Sequence, residues 1–356
     1  MSLMAESPVQ SSSSSDDFAA FLDTELEVAS SSSSPDDEEV DNAGESDIEE
    51  SSNKRRKVDS EDTKDVAVKD STGPSSDGED MGKCPPHPGF IKGLCILCGQ
   101  LEDDNGSAVA FGYIHKDLKL ARKEISRLRG ADLTTVLREK KLILILDLDH
   151  TLLNSTRLVD ISMEEQYLLR QAEILQNDSQ RSLVKLDGMH MLTKFRPFVH
   201  TFLKEASTIF EMYVYTMAER SYALEIANIL DPERVYFNSK VITQSDSTQR
   251  NQKGLDVVLG AESVVVILDD TEFVWDKHKE NLILMERYHF FASSCRQHGS
   301  SVRSLSELKQ DESDSNGALA TILNVLKRTH QTFFNPVGVT IEELFCFHYK
   351  KIFYGS

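Results

Sequence analysis

Apolar residues fall in two spacings along the second half of this chain. Short, solidly apolar runs are separated by stretches with helical periodicity. The clearest run, Leu142 to Leu146, lies inside KLILILDLDHTLLNS. Five consecutive apolar residues read as a strand buried on both faces, spanning about 141–147. MYVYT (212–216) and SVVVILDD (263–270) read the same way. Helical spacing is expected over 158–176, 197–208 (with Pro197 in the first turn), 219–230, from near Gly254, and over 304–310 and 316–331. A basic helix is expected over 115–130, ending at Gly130. Val235–Phe237 and Val241–Thr243 read as a hairpin, a small β insert. Strands alternating with helices predict an α/β fold with a doubly wound, mostly parallel sheet.

The apolar runs end in polar groups. The first run ends in Asp147, Asp149 and Thr151, the second in Thr216, and the third in Asp269 and Asp270; Lys253 lies between the last two. A parallel sheet brings the C-terminal ends of its strands to one edge. Taken singly, each residue has an ordinary reading: a turn-forming Asp, a capping Thr, a solvated Lys. Together they make a phosphoryl-transfer set. Carboxylates at buried strand ends need a cation, and Mg²⁺ suits oxygen ligands. Asp147 is the expected nucleophile and Asp149 the expected acid/base. Asp147 and Asp269 are expected to hold Mg²⁺, with Thr216 and Lys253 on the phosphate oxygens.

Composition divides the chain. Of the 20 net negative charges, 16 lie before residue 84, where 23 acidic residues face 7 basic ones. This Ser- and acid-rich segment, 1–83, is expected to be a disordered acidic tail. It carries Lys54-Arg55-Arg56-Lys57, which reads as a nuclear import signal, the alternative being a solvated charge patch. No apolar run approaches the ~20 residues of a membrane span, and the N-terminus lacks signal-peptide character. Five Cys in 356 residues point to a reducing compartment. Three of them cluster as Cys84-x2-His87, seven residues, then Cys95-x2-Cys98. Two close Cys/His pairs joined by a turn suit a structural Zn²⁺ knuckle; the alternative is reduced Cys in a loop. The expected organisation is a tail (1–83), knuckle and basic helix (84–130), a phosphoryl-transfer domain carrying the DxDxT motif (131–334) and a short aromatic tail (335–356).

DLDHTLLNS, KFRPFVHTFL, YVYTMAERSYA, KGLDVVLG and VVILDDTEFVW together resemble the RNA polymerase II C-terminal-domain phosphatases, and among them the plant phosphatase-like proteins. That family belongs to the haloacid dehalogenase superfamily. The resemblance covers about residues 84–334. It implies the same nucleophile and acid/base, Thr151 as loop support, and Mg²⁺ ligation by the acidic set Asp147, Asp149, Asp269 and Asp270. It implies phosphate binding by Thr216 and Lys253, and a substrate or phosphate contact for Arg196. The implied substrate is phosphoserine in the polymerase's heptad repeats, in the nucleus, with transcription factors as further partners. No membrane association or direct nucleic-acid binding is expected. Two departures stand out. Relatives carry Tyr where this chain has Phe210, which is expected to affect substrate preference. They also continue into a BRCT domain, for which the residues after Phe334 are too few, so docking on polymerase is expected to be weaker. Competing readings are a phosphatase of the same fold acting on another nuclear phosphoprotein or a phosphorylated metabolite, and a partner-binding regulatory protein with impaired activity.

Overall fold

The computed structural model describes residues 84, 87–103, 108–176, 180–299 and 302–335. The expected tail 1–83, its basic cluster, and residues from 336 onward lie outside the described residues. An antiparallel sheet comes first: β1 (Gly89–Ile91), β2 (Leu94–Cys95), β3 (Val109–Ala110) and β4 (Leu118–Leu120), in the order β2-β1-β4-β3. Helix α1 (Arg122–Glu139) follows. The helix expected over 115–130 is therefore displaced. Leu118 and Leu120 bury on one face of β4 while Lys119 faces water, a strand alternation. Gly130 does not end the helix. It is exposed and nothing crowds it, so it costs α1 only about 1 kcal/mol. The helix stops at Lys140, in the left-handed region at φ 54°.

The central sheet contains β5 (Leu142–Leu146), β9 (Phe210–Tyr215), β10 (Val241–Ile242), β11 (Val265–Asp269) and β12 (Leu282–Leu284). Its order is β10-β9-β5-β11-β12, and its pairings are all parallel. β5 and β11 bury every residue, as a central parallel strand must. The chain first winds from β5 outward through β9 to β10. It then crosses to the other side for β11 and β12. The order reverses beside β5, so a crevice opens at the C-terminal ends of β5 and β11, the usual place for a ligand in such sheets.

A second antiparallel sheet is inserted after β5, in the order β6-β8-β7: β6 (Leu153–Arg157), β7 (Leu183–Leu186) and β8 (Met191–Phe195). The β insert thus lies here and not at 235–243. Residues 235–237 form no strand, because the Asp231 carboxylate takes the N–H groups of Val235, Tyr236 and Phe237, each at 2.8 Å. Val241–Ile242 instead pairs in parallel with β9. Within 158–176 only α2 (Tyr167–Leu175) is α-helical, after two 3₁₀ turns. The next helices are α3 (Val199–Ala206) and α4 (Arg220–Leu230). Pro197 precedes the Phe198 cap of α3 and is not in its first turn. The helix expected from Gly254 is a single 3₁₀ turn, Leu255–Val257. Helices α5 (Ala292–Gln297), α6 (Leu305–Leu308) and α7 (Ala318–Phe334) complete the described elements.

Candidate active site

Adjacent register sets the two central acids side by side. Leu146 pairs with Leu268, and the Asp147 N–H donates to the Leu268 carbonyl at 3.0 Å. Asp147 therefore leaves β5 where Asp269 ends β11. Lys253 is buried between them and donates to Asp147 Oδ1 and to Asp269 Oδ2, each at 2.6 Å. Asp269 also accepts from Trp275 Nε1 and from the Thr271 N–H, both at 2.8 Å. Asp270 pairs with Arg287 at 2.7 Å. Burial alone would depress the Lys253 ammonium, but its two carboxylate partners raise it, so it stays charged. Burial pushes Asp147 well above the usual carboxylate range, opposed by Lys253 and reinforced by Asp269. Asp149 is pushed up to about 6 by burial, against a 2.8 Å hydrogen bond from the Tyr222 hydroxyl.

Asp147, Asp269 and Asp270 each offer a carboxylate oxygen, and these lie within 4.8 Å of one another. This all-oxygen set fits a hard divalent cation such as Mg²⁺. Asp149 is not in that group. Thr216 is buried just beyond β9, and its Oγ1 accepts from the Ala218 N–H at 3.1 Å. Thr151 is fully buried, and its Oγ1 has no hydrogen-bond partner. Arg196 is 1% exposed and engaged elsewhere: it donates to the Thr151 carbonyl at 3.0 Å and forks onto Glu312 at 2.7 and 3.0 Å. Phe210 starts β9 and pairs with Leu142, at the opposite end of the strands from the acids. A hydroxyl lost there bears on core packing, not on substrate choice.

Residues 142–318 match the family model of NLI interacting factor-like phosphatases. The chain is 52% identical over 340 residues to RNA polymerase II C-terminal domain phosphatase-like 4 of Arabidopsis thaliana, spanning 95% of this chain and 73% of that protein. The chain belongs to the RNA polymerase II C-terminal domain phosphatase family. Phosphatase-like 3 of the same plant is 37% identical over 248 residues, covering 66% of this chain and 20% of that protein. The solved structure of Fcp1, an essential RNA polymerase II CTD phosphatase, aligns at 24% identity with a TM-score of 0.45, over 58% of this chain and 67% of that one.

The candidate site also includes side chains that the strand-end pattern did not single out. Tyr222 carries no charge and sits in the first turn of α4, yet it donates to Asp149 and is itself bonded to Ser155 at 2.7 Å. Trp275 and Arg287 support Asp269 and Asp270. The available signal was proximity: Trp275 follows the ILDD run by five residues, and Tyr222 follows Thr216 by six. His87, Cys95 and Cys98 also come together, with ligand atoms within 4.8 Å of one another and Cys98 Sγ 3.4 Å from His87 Nδ1. Among the described residues no helix is long and apolar enough to cross a membrane.

Proposed function

We propose that this chain removes phosphate from serine in the heptad repeats of the RNA polymerase II C-terminal domain, through a phosphoryl group carried on Asp147. One observation carries the chemistry: Lys253 bridges Asp147 and Asp269 at 2.6 Å each at the sheet's switch point, with Asp149 beside them pushed up to about 6. The Asp147 carboxylate oxygen attacks phosphorus in line, and the bond from phosphorus to the serine oxygen breaks. Asp149, protonated, gives its proton to that leaving oxygen. It then takes a proton from water, whose oxygen attacks the phosphoryl group and returns Asp147 as a carboxylate. Lys253 and Thr216 hold the remaining phosphoryl oxygens as charge gathers on them. Asp147, Asp269 and Asp270 would hold Mg²⁺, which when bound would supply charge neutralisation between the anionic phosphate and its anionic attacker.

Nuclear location follows from the same reading, through the basic cluster at 54–57 and a nuclear substrate. Cys84, His87, Cys95 and Cys98 would hold a structural Zn²⁺, since four protein ligands would leave no open position for chemistry. The deciding assay offers the full chain a phosphoserine heptad peptide and an unrelated phosphoserine peptide, with Mg²⁺ or with EDTA. Hydrolysis of the heptad peptide should dominate and require the metal; equal turnover of both peptides would remove the polymerase substrate from the reading. Metal analysis of the purified protein should find about one Zn per chain, and a folded, active sample without Zn would remove the knuckle.

A further inference from the structure

We propose that Arg129 and Tyr113 are positioning residues for Lys253, so that the segment ahead of the catalytic strand is a working part of the phosphatase site. The inference rests on the reading of Lys253 as a phosphate-binding group. Lys253 sits in an irregular stretch: between Ile242 and Val265 the chain forms only three 3₁₀ turns. Its ammonium nevertheless has to meet carboxylates at the ends of two separate strands at 2.6 Å. Holding a group to such tolerance requires that its backbone be held as well.

Some of that hold comes from the phosphatase core. The Lys253 N–H donates to the Val274 carbonyl at 2.8 Å, and the Gly254 N–H to the Tyr215 hydroxyl at 3.2 Å. The remainder comes from outside it. Arg129, on α1, donates from Nε to the Val258 carbonyl at 3.1 Å, and from Nη2 to the same oxygen at 2.9 Å and to the Leu255 carbonyl. Tyr113, beyond β3 and 3% exposed, donates its hydroxyl to the Val257 carbonyl at 3.0 Å. Three carbonyls within four residues, starting two residues after Lys253, are thus clasped by side chains that precede residue 142, where the matched family model begins. The loop then leaves over β5 at Gly260, where a Cβ would lie 2.0 Å from Ile143 Cδ1. A guanidinium serving only solubility would face water. This one takes up the Val258 carbonyl and shares the Leu255 carbonyl with the Val258 N–H that closes the 3₁₀ turn.

The test uses the full chain and p-nitrophenyl phosphate, with inorganic phosphate as inhibitor, well below the lowest melting temperature of the set. Arg129→Met should lower kcat about 10-fold or more and weaken inhibition by phosphate by a similar factor. Tyr113→Phe, which removes one hydroxyl and should fold if Arg129→Met does not, should move both quantities the same way by about 3-fold. In a Lys253→Met background, Arg129→Met should cost nothing further, because the group it positions is gone. Wild-type kcat and phosphate inhibition in Arg129→Met and Tyr113→Phe, with only the melting temperature lowered, would overturn the proposal. So would losses that multiply in the Lys253→Met background. Wild-type activity in Lys253→Met itself would instead overturn the reading of the lysine.

Discussion

Glu312→Gln is the perturbation whose effect follows most directly from the packing. The Arg196 side chain is 0% exposed, and that of Glu312 is 23% exposed. The guanidinium makes two bonds to the Glu312 carboxylate, one to the Thr151 carbonyl, and lies 5.2 Å from the Tyr288 ring centre. Glu312 Oε2 also accepts the first N–H of α7, from Ala318 at 3.3 Å. Gln preserves the shape but leaves a buried cation without its counter-charge. Removing one partner of a buried pair costs about 3–5 kcal/mol; water reaching the quarter-exposed Glu312 site places the cost near the lower end, about 3 kcal/mol. At about 2–4 °C per kcal/mol for a domain of this size, the melting temperature should fall by about 6–12 °C. Buried charges are weakly screened, so the deficit should persist in 0.5 M NaCl. The assay is thermal unfolding of wild type and variant at both salt concentrations. A shift of under about 1 °C, or one that salt abolishes, would refute the argument that this pair ties α7 to the loop after Asp149.

Other consequences are equally open to measurement. Tyr222→Phe removes the donor to a half-buried Asp149; a hydrogen bond to a charged group contributes about 1.5–3 kcal/mol, so kcat should fall about 10- to 100-fold in steady-state assays. Unchanged kcat would mean that Tyr222 does not hold Asp149. Asp132 is pushed up to about 7, first by burial and then by Glu211, against Lys240, and its Oδ2 has no partner. Because its folded pKa is raised, ionising it costs stability: wild type should lose stability as pH climbs from about 4 to 7 and then level off. Asp132→Asn should therefore be more stable than wild type at pH 8, by about 1–2 kcal/mol after allowing for partial exposure, with the gain gone by pH 4. A gain independent of pH in urea titrations would rule this out.

The central sheet was legible because its strands are buried on both faces. Leu142–Leu146 and Val265–Asp269 cannot be read as anything half-exposed, and their polar ends fall where parallel register puts them. The flanking sheets were hidden for a different reason. β2 and β3 have two residues each, too few to show alternation. The inserted sheet pairs β6 with β8 across more than thirty residues, a tertiary fact that local pattern does not carry. Val235–Phe237 looked like a strand by composition, but one carboxylate, Asp231, satisfied its N–H groups and removed the need for a partner strand. Arg196 is the same lesson at the site. Its place in an Arg-Pro segment suggested a phosphate contact, whereas its partner Glu312 lies 116 residues further on. What the strand-end pattern supplied was the charged inventory; what it lacked was the neutral support, Tyr222 and Trp275.

Every step of the proposed chemistry depends on Asp147 carrying the phosphoryl group. The direct measurement mixes the full chain and Mg²⁺ rapidly with a ³²P-labelled phosphoserine heptad peptide, quenches in acid, counts the protein-bound label, and in a parallel sample locates the labelled residue by mass spectrometry as the homoserine that borohydride leaves when it displaces the phosphate. The label should sit on Asp147, be released by hydroxylamine, and be absent from Asp147→Asn, which should not turn over. Label on another residue, or turnover at the wild-type rate by Asp147→Asn, would contradict the account.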